Sequence, residues 1–313
     1  MSFFSRKKTL PFFILVVLLL LTSFFIFNFL NKKSQKEKSA AVKGEITLRL
    51  PEIKPAPKIK EKAKAPLINS KSYALIDGGT NYLLLEKNGF DFLPIASLSK
   101  MMTALVVMDL FKLDEMVEVN KEAIAVIGSK IGLKNNEKFS VFDLLQGLLI
   151  NSGNDAAYAL ALRSGSLARF VDLMNQKAKN LGLKNSVFKD PAGLDDTAGS
   201  TAFDLGILAR ELLKNEMLVS ITSKAEAEIV SNYGLKYQLK NSNRLVTEEM
   251  PFSGAIGLKT GFTPTAGHSL VAAAKREEHT LIAVILSTYE FTNTASAAEA
   301  KKLLEWGFKN VEW

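Results

Sequence analysis

There is no cysteine among the 313 residues. That removes disulfide frameworks, thiol nucleophiles and thiolate metal sites together. Histidine is nearly as scarce: His268 and His279 are the only two, too few for a histidine-rich metal cluster. A basic footprint for nucleic acid is missing as well. The formal net charge is +8, but residues 1–66 carry 14 Lys and Arg against 4 Asp and Glu, while 67–313 carry 26 against 28. The part able to fold is therefore close to neutral, and no nucleic-acid partner is expected. No internal repeat interrupts it. With 47% hydrophobic residues the chain has material for one good-sized domain or two small ones, plus extras.

Charge is also absent from residues 10–30, LPFFILVVLLLLTSFFIFNFL, which follow the basic Arg6-Lys7-Lys8. An uncharged run of this length crosses a bilayer core as a helix. A cleaved signal peptide would have a shorter apolar region ending at small residues. Here the run ends in Asn28-Phe29-Leu30-Asn31-Lys32-Lys33, and Ser39-Ala40-Ala41 lies well beyond it. The reading is an uncleaved signal anchor over 10–30, with 1–9 as a short terminal segment. Residues 31–66 are rich in Lys, Ala and Pro and sustain no apolar period, so they read as an extended spacer. A folded domain is expected over 67–313.

Within it, Ser72–Asp77 and Tyr82–Glu86 read as strands joined by Gly78-Gly79-Thr80-Asn81. A helix from Ser97 to about Phe111, apolar nearly all round, is expected to be central and buried. Val117–Val119 is a short strand and 121–138 mostly loop. Ser140 caps a helix over 142–150, and further helices run from Ala156, from Arg169 to Leu181 and from Phe203 to Lys214. Short segments follow at Glu228–Val230, Lys236–Leu239 and Asn241–Leu245. Strands at Ile256–Gly261, Ser269–Ala274 and Leu281–Leu286 precede a closing helix from Ala295 to Phe308. Strands, a helical block, then strands and a helix give a mixed α/β (α+β) order without βαβ alternation, so an antiparallel sheet packed with helices is expected.

Three short motifs carry chemistry. Ser97-Leu98-Ser99-Lys100 opens the apolar helix, so Lys100 stands one turn beyond Ser97 on the same face. An amine desolvated among apolar groups has a lowered pKa and acts as a base on a neighbouring hydroxyl. Alone, this spacing is that of a serine cap followed by a solvated lysine. Ser152-Gly153-Asn154 sets a hydroxyl and a carboxamide between two helices, where one moves a proton and the other binds an amide. Lys259-Thr260-Gly261 ends a strand with a cation, a hydroxyl and a residue allowing close backbone approach, which suits an anionic group on an extended substrate.

In this order the three motifs are those of β-lactamases and penicillin-binding proteins. The chain closely resembles one branch, the D-alanyl-D-alanine carboxypeptidases, the low-molecular-mass penicillin-binding proteins of serine peptidase family S11. The resemblance covers roughly 67–308 and extends to Pro94-Ile95-Ala96, Met101–Leu105, Asp143–Leu145, Asp155–Ala157, Gly193–Asp195, Ser200–Asp204, Phe262-Thr263 and Ala266-Gly267. It implies a β-lactamase/transpeptidase-like fold and hydrolysis of the D-Ala-D-Ala bond of peptidoglycan stem peptides through an acyl-enzyme on Ser97. By the same resemblance Lys100 is the base and Ser152 relays a proton to the departing D-alanine. Asn154 holds the substrate amide, and Lys259 and Thr260, followed by Gly261, bind the terminal carboxylate. The backbone N–H groups of Ser97 and Phe262 form the oxyanion hole. No cofactor or metal is implied, and β-lactams are expected as covalent inhibitors. Such a substrate requires an extracytoplasmic domain, so a single-pass cell-membrane protein with 1–9 cytoplasmic is expected. His268 stands where the resemblance leads one to expect an aromatic residue.

Three alternatives remain at this level. A DD-endopeptidase of the same family differs only in cleft and loops. A class A β-lactamase needs a glutamate to activate the deacylating water; Glu211 to Asn215 has a superficially suitable spelling but falls on a helix. A non-catalytic wall-binding protein would be free to lose Ser97 or Lys100, and both are present.

Overall fold

The structure, a computed structural model, describes residue 18, residues 20–33 and residues 55–313. It divides into two units, Met1–Lys54 and Pro55–Trp313. In the first, residues 20–33 form helix α1, with Leu20, Leu21, Phe24, Phe25, Phe27 and Phe29 exposed. The rest of the expected anchor (10–17 and 19), the terminal segment 1–9 and spacer residues 34–54 lie outside the described residues. Among the described residues no helix is long and apolar enough to cross a membrane.

The second unit begins earlier than composition suggests. Strand β1 (Lys58–Ile59) pairs antiparallel with the final strand β11 (Val311–Glu312). The Trp306 indole also donates to the Lys64 carbonyl at 2.6 Å. Residues 55–66, expected as spacer, thus belong to the folded unit, because an aromatic side chain far along the chain supplies their partner.

The centre is a five-stranded sheet of β2 (Ser70–Asp77), β3 (Leu83–Lys87), β8 (Ala255–Gly261), β9 (Ser269–Arg276) and β10 (His279–Thr288). Its order is β3-β2-β10-β9-β8 and every pairing is antiparallel. The central strands are buried on both faces, which is why they read as continuous apolar runs. Along β10, Leu281, Ala283 and Ile285 join one core, while Ile282, Val284 and Leu286 join the other, the two-residue period of a strand. The first core lies under the closing helix α9 (Ala295–Asn310) and takes in Leu303 and Leu304.

The second core belongs to the helical block inserted between β3 and β8. It comprises α2 (Lys100–Leu110), α3 (Lys121–Ala125), α4 (Val141–Leu149), α5 (Asn154–Leu162), α6 (Leu167–Asn180), α7 (Ala202–Leu213) and α8 (Glu216–Thr222). Two ribbons flank it, β4 (Met116–Glu118) with β5 (Lys138–Ser140) and β6 (Glu226–Val230) with β7 (Lys236–Lys240). Helix α2 is buried from Lys100 to Val107 and packs against α4, α5, α6 and α7. Each of its large apolar side chains contributes about 1.5–3 kcal/mol of burial. Ser140 caps α4 by accepting from the Asp143 N–H. The short helices α3 and α8 are additions to the expected elements, each started by an asparagine cap, Asn120 and Asn215. Segment 241–245 turns instead of extending, because the Asn241 and Asn243 side chains accept from backbone N–H groups two residues on.

Candidate active site

The three motifs arrive from three elements: the start of α2, the turn between α4 and α5, and the end of β8. A single 3₁₀ turn, Ala96–Ser99, precedes α2 and carries Ser97, half-buried, at the mouth of the site. Ala96 is held at φ 47°, outside the conformations a non-glycine residue prefers, and two close packings fix this turn. Gly193 (φ 77°) lies so near that a Cβ there would sit 1.9 Å from the Ala96 carbonyl oxygen, and a Cβ on Gly261 would sit 2.8 Å from the Ile95 carbonyl oxygen. The glycines bring a loop and the end of β8 directly against the serine's backbone.

Lys100 is fully buried. Its Nζ lies 2.7 Å from Ser97 Oγ, 2.7 Å from Asn154 Oδ1 and 3.0 Å from the Ala192 carbonyl oxygen. An amide oxygen and a carbonyl oxygen accept only. In a neutral amine they take its two N–H groups, which leaves the lone pair for Ser97, the one partner that has a proton to give. Burial pushes the Lys100 pKa well below its usual value, and the nearby Lys259 charge pushes the same way; Asp190 and Asp155 oppose this. The result is an amine poised as a base toward a serine hydroxyl.

Both acceptors are positioned by buried or bridging carboxylates. Asp190 accepts from the backbone N–H groups of Ala192, Gly193, Leu194 and Asp195 at 2.7–2.9 Å, curling the loop so that the Ala192 carbonyl faces Lys100. Asp155, fully buried, accepts from Ile131, Gly132 and Leu133 N–H at 2.9–3.1 Å, and so pins the start of α5. Asn154 is buried, with Nδ2 donating to the Ile127 carbonyl at 2.6 Å. Ser152, at φ 60°, faces the cleft, and its hydroxyl has no hydrogen-bond partner among the described residues.

On β8, Lys259 is buried and its Nζ donates to the Thr260 carbonyl at 3.0 Å. Burial pushes its pKa down to about 7. The Thr260 hydroxyl shares a 2.6 Å hydrogen bond with Ser242 Oγ. The Phe262 ring stacks on His268, centroids 4.2 Å apart and planes 25° apart, and burial lowers the His268 pKa.

Ser97, Ser152, Thr260, Gly261 and Phe262 line one cleft of about 420 Å³, joined by Ser129, Ser242, Arg244 and His268. Asn154 and Lys259 stand behind its wall. No acidic residue lines this cleft among the described residues. Glu211 sits on α7 and pairs with Lys214 at 2.6 Å on the surface. Sequence reasoning missed the Ala192 carbonyl, Ser242 and Arg244. A carbonyl has no residue-type signature, although Asp190-Pro191-Ala192-Gly193 does carry the turn chemistry that shapes it.

The S11 peptidase family profile, described as D-alanyl-D-alanine carboxypeptidase, matches residues 59–289. D-alanyl-D-alanine carboxypeptidase DacF of Bacillus subtilis is 38% identical over 250 residues, covering 78% of this chain and 63% of the relative. D-alanyl-D-alanine carboxypeptidase DacC of Escherichia coli is 37% identical over 262 residues, covering 80% of this chain and 64% of the relative. The chain thus spans just under two thirds of the length of these curated relatives. The crystal structure of the Streptomyces K15 DD-transpeptidase superposes with a TM-score of 0.73 at 32% identity, covering 79% of this chain and 99% of that one.

Proposed function

The chain belongs to the S11 family of D-alanyl-D-alanine carboxypeptidases, and from that footing we propose that it is a serine-type D-Ala-D-Ala carboxypeptidase acting on peptidoglycan stem peptides. The observation that carries the reading is the bonding of Lys100: two acceptor-only partners and one hydroxyl, inside a fully buried pocket.

Lys100 takes the Ser97 proton as Oγ attacks the carbonyl of the D-Ala-D-Ala bond. The backbone N–H groups of Ser97 and Phe262 receive the developing oxyanion. Ser152 passes a proton to the amine nitrogen as the C–N bond breaks, and D-alanine leaves. Water then attacks the Ser97 ester, releasing the shortened peptide and restoring the hydroxyl. Thr260, with the Lys259 charge behind it, receives the terminal carboxylate, and an arriving anion favours the protonated form of a lysine whose pKa lies near 7. Asn154 serves the substrate amide chiefly through the wall it builds with Lys100.

Penicillins acylate Ser97 by the same route. Among the described residues the cleft lining holds no acidic side chain of the kind a class A β-lactamase uses to activate the deacylating water, which favours slow release of penicillin over β-lactamase turnover. The proposed setting is the outer face of the cell membrane, with 10–30 as anchor and the catalytic unit extracytoplasmic, supported by the uncharged run and the basic residues before it.

The test combines a fluorescent penicillin with the wild type and a Ser97→Ala variant, locating the adduct by mass spectrometry, and then measures D-alanine release from a pentapeptide. A Ser97 adduct absent from the variant, together with D-alanine release, is the expected result. A folded protein that is not labelled would overturn the acyl-enzyme reading.

A further inference from the structure

Helix α9 runs from the catalytic cleft to the opposite end of the sheet. Ser296, in its first turn, lines the cleft. Lys309, in its last turn, lines a separate depression of about 510 Å³. The helical rise from Ser296 to Lys309 is about 20 Å. Strand β10 has the same polarity. Near its end the Ser287 N–H donates at 3.0 Å to Ser269 Oγ, which belongs to the cleft. At its start His279 stacks on Trp313, centroids 4.3 Å apart.

The far depression is basic. Lys62, Lys64, Lys302 and Lys309 line it with Glu305 and Trp306. Residues 58–64 and 301–312 together hold seven lysines and three glutamates, so positive charge gathers here on a folded part otherwise close to neutral. Two bonds hold the segments side by side: Lys60 Nζ donates to the Lys309 carbonyl at 2.9 Å, and the Trp306 indole donates to the Lys64 carbonyl. Lys302 is engaged by Glu299 at 2.7 Å. Lys62, Lys64 and Lys309 are exposed. Among the described residues their ammonium groups have no partner, and none pairs with Glu61, Glu305 or Glu312. Trp306 is the one buried residue lining the depression, and its N–H is already bonded. Nothing buried and polar is left to orient a small ligand there. Open lysines around an apolar floor suit a broad anionic surface instead.

We propose that this face docks the folded unit on an anionic lipid surface and so turns the catalytic cleft away from the membrane. The inference rests on the membrane setting proposed above, and its use rests on the carboxypeptidase reading, since the substrate lies on the wall side. Lipid is favoured over a wall polymer because the chain enters the folded unit at this face, through Lys58–Ile59 and the lysines that follow. Residues 31–54 stand between the expected span and the unit, a tether of at most roughly 90 Å. Attraction too weak to hold a free protein is enough for a tethered one, because the tether keeps the local lipid concentration high.

The experiment places the full-length protein in phosphatidylcholine vesicles with and without phosphatidylglycerol, each carrying a lipid with a nitroxide on its headgroup. Trp306 and Trp313 are the only tryptophans, and both lie at this end of the unit, so their quenching reports its approach. Expected is quenching in the anionic vesicles, little in the neutral ones, and loss at high salt. In the triple variant Lys62→Gln, Lys64→Gln, Lys309→Gln the docked-to-undocked ratio falls about fivefold for each lysine, while penicillin acylation stays within about twofold. A second triple variant, Lys121→Gln, Lys179→Gln, Lys184→Gln, removes the same charge from the helical block and keeps the quenching. Equal loss in both triples overturns the face, as does equal quenching in both vesicles. No quenching in anionic vesicles, with binding to a soluble poly(glycerol phosphate), assigns the face to a wall polyanion and overturns the lipid assignment. In each of these cases a Ser97 adduct leaves the carboxypeptidase reading standing. A chain that stays with neither vesicle overturns the anchor and the docking face together.

Discussion

Gly193 and Ala96 touch backbone to backbone: a Cβ on Gly193 would lie 1.9 Å from the Ala96 carbonyl oxygen and 2.9 Å from Ser99 Oγ. The contact locks the loop that supplies an acceptor to Lys100 against the turn that carries Ser97. The two halves of the nucleophile–base pair are held in register by the absence of a side chain.

Gly193→Ala tests this directly. At φ 77° the backbone itself resists a side chain by about 1–3 kcal/mol, and the clash with Ala96 adds to it. The expected outcome is a melting temperature lower by several degrees and penicillin acylation slowed by more than about tenfold. Unchanged acylation would show that the contact does not position the pair.

The pH dependence of acylation follows from the two lysines. The base must be neutral, so the rate rises as pH passes the lowered Lys100 pKa. The carboxylate-binding lysine must be charged, so the rate falls above the Lys259 value of about 7. The positive charge of Lys259 lowers the Lys100 pKa and the negative charge of Asp190 raises it. Lys259→Gln therefore moves the rising limb to higher pH, and Asp190→Asn moves it to lower pH. Stopped-flow acylation across the pH range measures both shifts. Limbs that stay in place in both variants would sink the assignment.

Stability should depend on pH through Lys259 as well. Its folded pKa, about 7, lies below its ordinary value of 10.5. Between these pH values the unfolded chain holds a proton that the folded chain has released, so stability rises with pH across this window. Below pH 7 the cost of burying the cation is present in full. Lys259→Met removes this cost: it should unfold at a higher temperature than the wild type at pH 7, with the gap narrowing toward pH 10. Differential scanning calorimetry at several pH values reads it.

Ser152→Ala leaves the wall intact, since the hydroxyl has no protein partner among the described residues and the residue is nearly buried. The melting temperature should stay within about 1–2 °C, while D-alanine release drops about 10²–10⁴-fold, the range of a lost proton-transfer group. A loss confined to KM would remove Ser152 from the proton path.

Much of this was legible beforehand, for reasons that can be named. The sheet strands announced themselves because burial on both faces makes them uninterrupted apolar runs, and α2 because it is apolar all round. Ser97 and Lys100 were legible as a pair because Ser152-Gly153-Asn154 and Lys259-Thr260-Gly261 follow them in order; their spacing alone is also that of a serine cap and a solvated lysine. What stayed hidden depends on backbone or on distant partners. The Ala192 carbonyl looks like any other in a sequence, and Ser242 meets Thr260 only because Asn241 and Asn243 curl the chain there. Nothing in the sequence accounts for His268, whose ring stacks on Phe262 in the folded unit. The fold also starts before composition changes, since lysine- and proline-rich residues gain their partners from the last helix and strand.

The pairing of Lys58 with Glu312 and Ile59 with Val311 bears on the order of assembly. This ladder closes a loop made of nearly the entire folded chain and gains only two residue pairs in return. Loop entropy grows with length, so the ladder is expected to close late, on a sheet already built, and to open early. Its amides should exchange with solvent long before those of β10, so that the unit's two ends breathe together while the site around Ser97 stays closed.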